Sequence, residues 1–493
     1  MVLFGEPVAL STALLFLLAV LLALGFEVVN GFHDTANAVA TVIYTNSLRP
    51  TIAVVWSGLW NLIGVLVSNG AVAFGIITLL PVELVLNVGS SAGMAMVFSL
   101  LVAAILWNLG TWYLGLPASS SHTLIGSILG VGLAHSVMSA EVFGEGVNWG
   151  KAQEVFASLL LSPLIGFGCA GLLLLLCKLL IKSPKLYEAP AKDHPPPLWI
   201  RAILIFTCTG VSFAHGSNDG QKGMGLMMLI LIGALPASYA LNEATTEREI
   251  ARLLQNAKAV SSYIEQHYDK SELSPSEAAL ELSNYLKPNV SPNRRTPAAI
   301  AILNRELEAN LEGRRSMLDI PSSERPKLRT DIYLVDESLS KFLKQGRRTE
   351  ESFRSLVRNY REDLDGSTHF IPVWVKVAVA LALGMGTMVG WKRIVVTVGE
   401  KIGKDHLTYA QGASAELVAM ITIGVADQLG LPVSTTHVLT SGVAGTMAAN
   451  RSGVQMNTVR NMLLAWIFTL PACVFLGAAL FGAGLYAISR LGI

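Results

Sequence analysis

Residues 115–122 read Gly-Leu-Pro-Ala-Ser-Ser-Ser-His, and residues 430–437 read Gly-Leu-Pro-Val-Ser-Thr-Thr-His. Upstream of each copy lies a second repeated motif, Gly-Phe-His-Asp at residues 31–34 and Gly-Ser-Asn-Asp at residues 216–219. One shared motif can arise by chance, whereas two motifs in the same order indicate an internal duplication. The chain is therefore predicted to consist of two related halves.

The spacing of the motifs locates an insert in the second half. Asp34 and His122 are 88 positions apart, whereas Asp219 and His437 are 218 positions apart. The difference of 130 positions equals the length of a hydrophilic stretch at residues 242–371. Without this stretch the two halves have the same internal spacing, so we expect the insert to be dispensable for the basic function.

Composition separates the insert from the rest of the chain. Of all residues 52% are hydrophobic and only 14% are charged, against about 25% charged residues in a typical soluble protein. The insert holds 20 Lys and Arg and 21 Asp and Glu, so the other 363 residues carry only 30 of the 71 charges. This composition excludes an ordinary cytosolic enzyme, and the net charge of +1 gives no indication of nucleic-acid binding.

Apolar runs recur outside the insert. A helix that crosses a bilayer needs about 20 apolar residues, and in lipid every backbone polar group needs an internal partner, which favours helices. The runs cover residues 8–29, 52–80, 94–113, 155–180, 199–214, 224–241, 373–389, 417–428 and 462–488. We therefore predict an all-α polytopic membrane protein.

Duplicated halves with interrupted helices are typical of secondary transporters, which bind substrate where the repeats meet. We predict two inverted repeats, each with a helix broken at the Asp motif and a re-entrant hairpin at the Gly-Leu-Pro motif, plus an inserted helical soluble domain. Basic residues in the connector between the halves predict that it is cytoplasmic, which leaves both chain ends outside. The first repeat is predicted at residues 1–182 and the cytoplasmic connector at residues 183–198. The second repeat is predicted to start at residues 199–241, to be interrupted by the insert at residues 242–371 and to continue at residues 372–493.

Ionisable residues within the apolar part of the chain are the first candidates for function. Asp34 and Asp219 occupy the same place in the two halves, and Lys222 follows three residues after Asp219. Such groups are costly in a membrane and usually functional. The alternative is that each aspartate caps a broken helix or pairs with a neighbouring cation. Further candidates are Glu27, Glu416, Asp427 and Lys376.

Each Gly-Leu-Pro motif continues into hydroxyl residues and a histidine. Ser and Thr can simply pack membrane helices together, but helix N-termini offer free N–H groups to anions and hydroxyls add further donors. His122 and His437 either donate to an anion, carry a coupling proton or hold the hairpins by hydrogen bonds. We predict a donor-rich cage for an oxyanion, formed by Ser119, Ser120, Ser121, Ser434, Thr435 and Thr436.

An anion site that contains two carboxylates requires a substrate that brings protons or cations. Hydrogen phosphate has an O–H that donates to a carboxylate, and carboxylates also hold a coupling cation or a metal that travels with the anion. The residues alone therefore predict a cation-coupled anion transporter. Two alternatives stay open: a transporter of a dicarboxylate or a sulfate-like anion, and a membrane-embedded hydrolase built on a Ser/His/Asp set.

Residues 30–41, Asn-Gly-Phe-His-Asp-Thr-Ala-Asn-Ala-Val-Ala-Thr, resemble the signature of the PiT inorganic phosphate transporters. Residues 214–223, Ala-His-Gly-Ser-Asn-Asp-Gly-Gln-Lys-Gly, resemble its second copy in the bacterial low-affinity Pit branch. The resemblance implies a secondary active symporter, not an enzyme, that takes up inorganic phosphate with protons, as a neutral complex with a divalent metal such as magnesium. It also implies a multi-pass location in the bacterial inner (plasma) membrane and a homodimer.

The resemblance implies roles for individual positions. Asp34, Asn37 and Asp219 match the family's substrate-binding residues together with the six hydroxyl residues, and the two aspartates would also hold a co-transported metal. The coupling or charge partners are predicted to be His33, His122, Asn218, Lys222 and His437.

Lys222 departs from the pattern of the sodium-coupled relatives, which have Asn three residues after the aspartate in both copies. His33, in place of an Asn, is a second departure, and the two put a sodium site in doubt. A buried ammonium beside Asp219 would supply the positive charge that sodium supplies in those relatives. The alternative is that Lys222 extends to the membrane interface and anchors a helix end.

Because each half contributes one acid to a shared site, Asp34→Asn and Asp219→Asn are each expected to lower phosphate uptake at least about tenfold. Uptake is measured in vesicles at matched membrane abundance of the variants. Near-normal transport by either variant would reduce that aspartate to a helix cap.

Overall fold

The computed structural model describes residues 2–4, 6–139, 144, 147–190, 194–268, 271–287, 289–345 and 350–491, apart from the side chains of residues 35–37 and 82–83. Nearly all of this is helix. A two-stranded antiparallel hairpin, β1 at Val2–Leu3 and β2 at Glu6–Pro7, lies at the amino terminus. The predicted all-α class is confirmed.

The helices before the connector belong to the first half. They are α1 (Leu10–Tyr44), α2 (Pro50–Val67), α3 (Ala71–Ile77), α4 (Val82–Leu86), α5 (Ser91–Tyr113), α6 (Ser120–Met138) and α7 (Trp149–Leu180). The connector contains a short 3-10 turn at Pro184–Leu186.

The second half has helices on both sides of the insert. Those before it are α8 (Leu198–Ala234) and α9 (Pro236–Tyr239). The insert holds α10 (Glu247–His267), α11 (Pro275–Leu286), α12 (Arg295–Leu311), a 3-10 turn (Met317–Asp319), α13 (Arg325–Gln345) and α14 (Glu351–Thr368). The helices after it are α15 (Val373–Met388), α16 (Lys392–Glu400), α17 (Tyr409–Gln428), α18 (Thr435–Asn450) and α19 (Met456–Leu491).

Among the described residues, seven helices are long and apolar enough to cross a membrane, namely α1, α2, α5, α6, α7, α8 and α19. The count rises to eight if α14 and α15, which meet at a bend of 77°, form one span. The prediction of a multi-pass helical membrane protein is therefore confirmed.

The two helices that carry the aspartate motifs are continuous, so the prediction of a break in each helix was wrong. Helix α1 runs through Asp34, and α8 runs through Asp219. The glycines of these motifs are close-contact positions instead of breaks. A Cβ added at Gly31 would overlap the carbonyl oxygen of Leu383, and one added at Gly216 would overlap the backbone of Asn61. Small residues of this kind let membrane helices approach backbone to backbone.

The Gly-Leu-Pro motifs do interrupt the helices. In each copy a turn of six residues separates two helices, at residues 114–119 between α5 and α6 and at residues 429–434 between α17 and α18. Gly115 and Gly430 have φ of +66° and +65°, values that favour glycine because it has no Cβ. The two copies therefore share one backbone reversal. The re-entrant course of these hairpins stays a prediction.

Helices of the two halves pack in a reciprocal way. In the second half, α8 is the counterpart of α1, and α15 is the counterpart of α2. Helix α1 packs against α15, and α2 packs against α8. In the same way α6 packs against α19, and α18 packs against α7. Each of these helices therefore packs against a helix of the other half, namely the counterpart of its own sequence neighbour. The motifs of both halves come together in the middle of the protein.

The insert forms a helical bundle around a hydrophobic core of its own, which includes Ile250, Leu303 and Tyr360. Its sequence specifies helix starts, as the capping box of Ser274 with Glu277 illustrates. The two ends of the bundle meet, because the backbone N–H of Asn242 donates to the carbonyl of Ser367 at 2.8 Å.

The insert lies at the same end of the protein as the amino terminus. The backbone N–H of Ser238, just before the insert, donates to the Glu6 carboxylate at 2.6 Å. At the other end, near the connector, Arg201 Nε donates to the carbonyl of Ser47 at 2.8 Å. An ion pair of 3.4 Å joins the insert's Lys344 to Glu154 on α7, and an exposed pair of this kind contributes little.

We expect excision of residues 243–366 to leave phosphate uptake within about twofold of the intact protein, since exposed ion pairs contribute little. Joining Asn242 to Ser367 introduces little strain because the two residues are already hydrogen-bonded. Uptake is compared in vesicles with equal amounts of inserted protein. Loss of activity in a correctly inserted variant would make the bundle part of the transport machinery.

Candidate functional site

The two repeated aspartates meet in the interior. Asp34 on α1 and Asp219 on α8 are 2% and 0% exposed. The hydroxyl of Ser120, the first residue of α6, donates to Asp34 Oδ2 at 2.7 Å and lies 3.4 Å from Asp219 Oδ2. One hydroxyl of the first hairpin thus lies between the carboxylates of both halves.

The second hairpin also reaches Asp34. The Thr436 hydroxyl donates to Asp34 Oδ1 at 2.5 Å. His33 Nδ1 lies 3.3 Å from the same oxygen, and His33 Nε2 lies 3.1 Å from the Thr111 hydroxyl. Asp34 is therefore held by both hairpins and by the neighbouring histidine.

Asp219 has one cationic and one imidazole neighbour on its own helix. Lys222 Nζ lies 2.8 Å from Asp219 Oδ1, and the Lys222 side chain is fully buried. His215 Nε2 lies 3.5 Å from Asp219 Oδ2 and 4.0 Å from Asp34 Oδ2, while its Nδ1 lies 3.0 Å from Asn61 Oδ1. The burial of Lys222 excludes the alternative in which this lysine extends to the membrane interface.

Of the remaining predicted hydroxyls, three have structural partners. Ser119 accepts the backbone N–H of His122 at 3.2 Å and caps α6, and Ser434 accepts that of His437 at 3.1 Å and caps α18. The Ser121 hydroxyl donates to the carbonyl of Val433 at 2.7 Å and joins the two hairpins. The caps turn the positive ends of both helices toward the aspartates.

Polar atoms without a partner surround this meeting point. The Thr435 hydroxyl, His122 Nδ1, His437 Nε2 and Asn218 Oδ1 are buried, and the described residues offer none of them a hydrogen bond. The two histidine rings lie 4.6 Å apart between centroids. Buried polar atoms are normally satisfied, so these atoms indicate a place for a polar ligand.

Four residues, Asn37, His215, Thr111 and Asn61, differ from the prediction or lie outside it. The side chain of Asn37 lies outside the described residues, so its predicted role stays a prediction. His215 was missed, although it precedes Asp219 by four residues, a spacing that places both on one helix face. Thr111 and Asn61 were also missed, because they lie in other helices without a motif.

A group of side chains here could bind a metal ion. Asp34, His215 and Asp219 each offer one ligand atom, and these atoms all lie within 4.8 Å of one another. Two carboxylates and one imidazole are a common donor set for divalent metals. All three residues are buried, so this is not an exposed acidic patch.

Seven or more apolar helices enclose buried acids, a buried lysine and the positive ends of two hairpin helices. This combination defines a multi-pass membrane transporter with a charged site at the contact between its halves.

The chain belongs to the phosphate transporter family, whose sequence pattern matches residues 30–477. The protein is therefore a phosphate transporter and not an enzyme, as the motifs predict. The predicted multi-pass location in the bacterial inner membrane agrees with the apolar helices and with the relatives described next.

Two curated relatives match almost the whole chain. The low-affinity inorganic phosphate transporter PitA of Escherichia coli (strain K12) is 43% identical over 491 residues, which cover 96% of this chain and 97% of PitA. The low-affinity inorganic phosphate transporter PitB of the same organism is 42% identical over 492 residues, with 97% and 98% covered.

A solved structure described as "The sodium-dependent phosphate transporter" has a similar fold. Its TM-score is 0.51 at 18% sequence identity, and the match covers 95% of this chain and 98% of the other. At this identity the similarity supports the fold alone.

Replacing Lys222 by Asn tests the role of the buried ammonium. Removing one partner of a buried ion pair costs about 3–5 kcal/mol, so we expect phosphate uptake to collapse in choline medium and to recover partly in sodium. Uptake is measured at a fixed pH gradient with sodium or choline as the bulk cation.

Lys376→Asn is the matched control, because Lys376 is a half-buried lysine of α15 that donates to the carbonyl of Ser68 at 2.8 Å. It should transport normally in both media. Unimpaired, sodium-independent uptake by Lys222→Asn would refute the proposed charge substitution.

Proposed function

We propose that this phosphate transporter takes up inorganic phosphate by symport with protons, as a neutral complex with a divalent metal ion. The observation that supports the metal is the cluster of Asp34, His215 and Asp219, whose ligand atoms lie within 4.8 Å of one another. Metal–ligand bonds of about 2.0–2.3 Å put two ligands of one ion up to about 4.6 Å apart. The cluster therefore needs only a small contraction to hold the metal as cargo.

The two carboxylates and the imidazole of this cluster determine which metals the site would accept. Magnesium takes oxygen ligands and keeps several waters, which suits the two carboxylates and leaves positions for phosphate oxygens. The imidazole of His215 adds a nitrogen that manganese, cobalt or zinc accept more readily. We therefore expect the transporter to accept several divalent metals as phosphate complexes.

Phosphate itself is proposed to lie between the metal and the hairpin tips. The amino-terminal ends of α6 and α18 carry free N–H groups and positive dipole ends, which favour an oxyanion. The buried Thr435 hydroxyl and the unpartnered nitrogens of His122 and His437 supply further polar atoms. Lys222 offsets the charge of one carboxylate, and the metal that both carboxylates would hold offsets the charge of the other.

The reciprocal packing of the halves supports transport by two inverted repeats. Helices α6 and α18 come from different halves and both reach Asp34, through Ser120 and Thr436. A movement of one hairpin relative to the other would open the site to one side at a time. The homodimer implied by the resemblance stays a prediction.

Metal removal tests the proposed substrate. A chelator is expected to lower phosphate uptake into proteoliposomes, and added magnesium is expected to restore it. In His215→Ala the metal concentration for half-maximal uptake should rise about 10–100-fold, as ligand-shell changes do at other metal sites.

His135→Ala serves as the control, because His135 lies near the end of α6 against Phe481 and away from the aspartates. The metal–phosphate substrate would be contradicted if the chelator left phosphate uptake unchanged. It would also be contradicted by an unchanged metal requirement in His215→Ala.

A further inference from the structure

Glu27 is a fully buried acid that the binding site does not use. It lies on α1 two turns before Asp34, with 0% exposure. Its Oε2 accepts one long hydrogen bond of 3.4 Å from Asn30 Nδ2. Its Oε1 accepts no side-chain hydrogen bond in the part of the chain that the structure describes, and it lies against the backbone of Gly223 on α8. An ionised carboxylate in this environment is very costly, whereas the protonated acid is not.

Two other buried acids outside the insert, Glu416 and Asp427, differ from Glu27 in their hydrogen bonds. Both oxygens of Glu416 accept hydrogen bonds, one from Thr41 and one from Thr207 at 2.5 Å. Asp427 has two donors as well, at 2.7 and 2.6 Å. Of these three acids, only Glu27 has an oxygen that accepts no side-chain hydrogen bond among the described residues.

The surroundings of Glu27 connect it to the transport site. Its side chain packs against α8 at Gly223, where an added Cβ would overlap the Glu27 carboxyl group. The charged groups that face it are Lys222 and Asp219, also on α8. A change in the charge of Glu27 is therefore felt next to the substrate site, at low dielectric.

Glu27 also departs from the internal repeat. The matching position seven residues before Asp219 is Ser212, which hydrogen-bonds to Ser57 at 2.8 Å. Lys222, at the place of Asn37, is a further charged departure, and it faces Glu27. Groups that bind phosphate are present in both halves, whereas a group that carries one proton is needed only once.

We propose that Glu27 carries the coupled proton. The inference rests on the proton symport proposed above and assigns the coupling to one side chain. The Glu27 carboxylate forms an O–H bond with a proton from the side of higher acidity. That bond breaks when the proton leaves on the other side, and nothing is oxidised or reduced. The aspartates and hairpin hydroxyls remain free to hold the substrate.

The variant Glu27→Gln keeps the shape of the protonated acid and cannot release the proton. Two measurements in proteoliposomes separate coupling from binding. Accumulation of labelled phosphate driven by an imposed pH gradient should fall at least about tenfold, while counterflow of labelled against unlabelled phosphate without a gradient should stay within about twofold, since the isostere retains the neutral form. Glu27→Asp, which restores an ionisable group, should regain gradient-driven accumulation.

Asp427→Asn is the matched control for loss of a buried carboxylate, and its ratio of accumulation to counterflow should equal that of the unaltered protein. The inference is overturned if Glu27→Gln accumulates phosphate under the gradient, or if it loses counterflow in the same proportion as accumulation. If the unaltered protein itself does not respond to the pH gradient, the proposed proton symport fails, which is a separate outcome.

If Glu27→Gln does not reach the membrane, Glu27→Asp decides the question. A shorter carboxyl in a different environment should shift the pH profile of gradient-driven uptake and leave counterflow unchanged. An unchanged pH profile would refute the assignment.

Discussion

The hydroxyl of Ser120 lies between the carboxylates of Asp34 and Asp219, 2.7 Å from one and 3.4 Å from the other. Two carboxylates so close together repel each other strongly in a low-dielectric interior. Hydroxyl donors, the ammonium of Lys222 and a bound cation are the means available to offset that repulsion. The proposed metal–phosphate complex would bring the positive charge that offsets this repulsion, which a phosphate anion alone does not.

Close helix contacts make this arrangement possible. Helices α1 and α15 meet at Gly31, and α8 and α2 meet at Gly216, where any Cβ would overlap the facing backbone. Without a strong hydrophobic force between helices in lipid, such contacts depend on small residues. They fix the two aspartate helices against their partners, so the hairpins can approach both acids from opposite halves.

The sequence predicted which residues form this site more accurately than it predicted the course of the helices that carry them. Duplication alone identified Asp34, Asp219 and the hydroxyl runs, because the same residues recur at the same spacing. The predicted helix breaks failed because a glycine beside a polar residue has two physical meanings, a break or a close contact, and only the neighbouring helix decides between them. His215 carried a usable signal in its spacing from Asp219, whereas Asn61 reaches the site only through the fold.

The central claim is that both halves contribute to one shared substrate site. Equilibrium binding of labelled phosphate to the purified protein, in the presence of magnesium, tests it most directly. The account predicts one phosphate bound per chain, with binding lost when either Asp34 or Asp219 is replaced by Asn. Two phosphates per chain, or a site that persists when one aspartate is replaced, would contradict it.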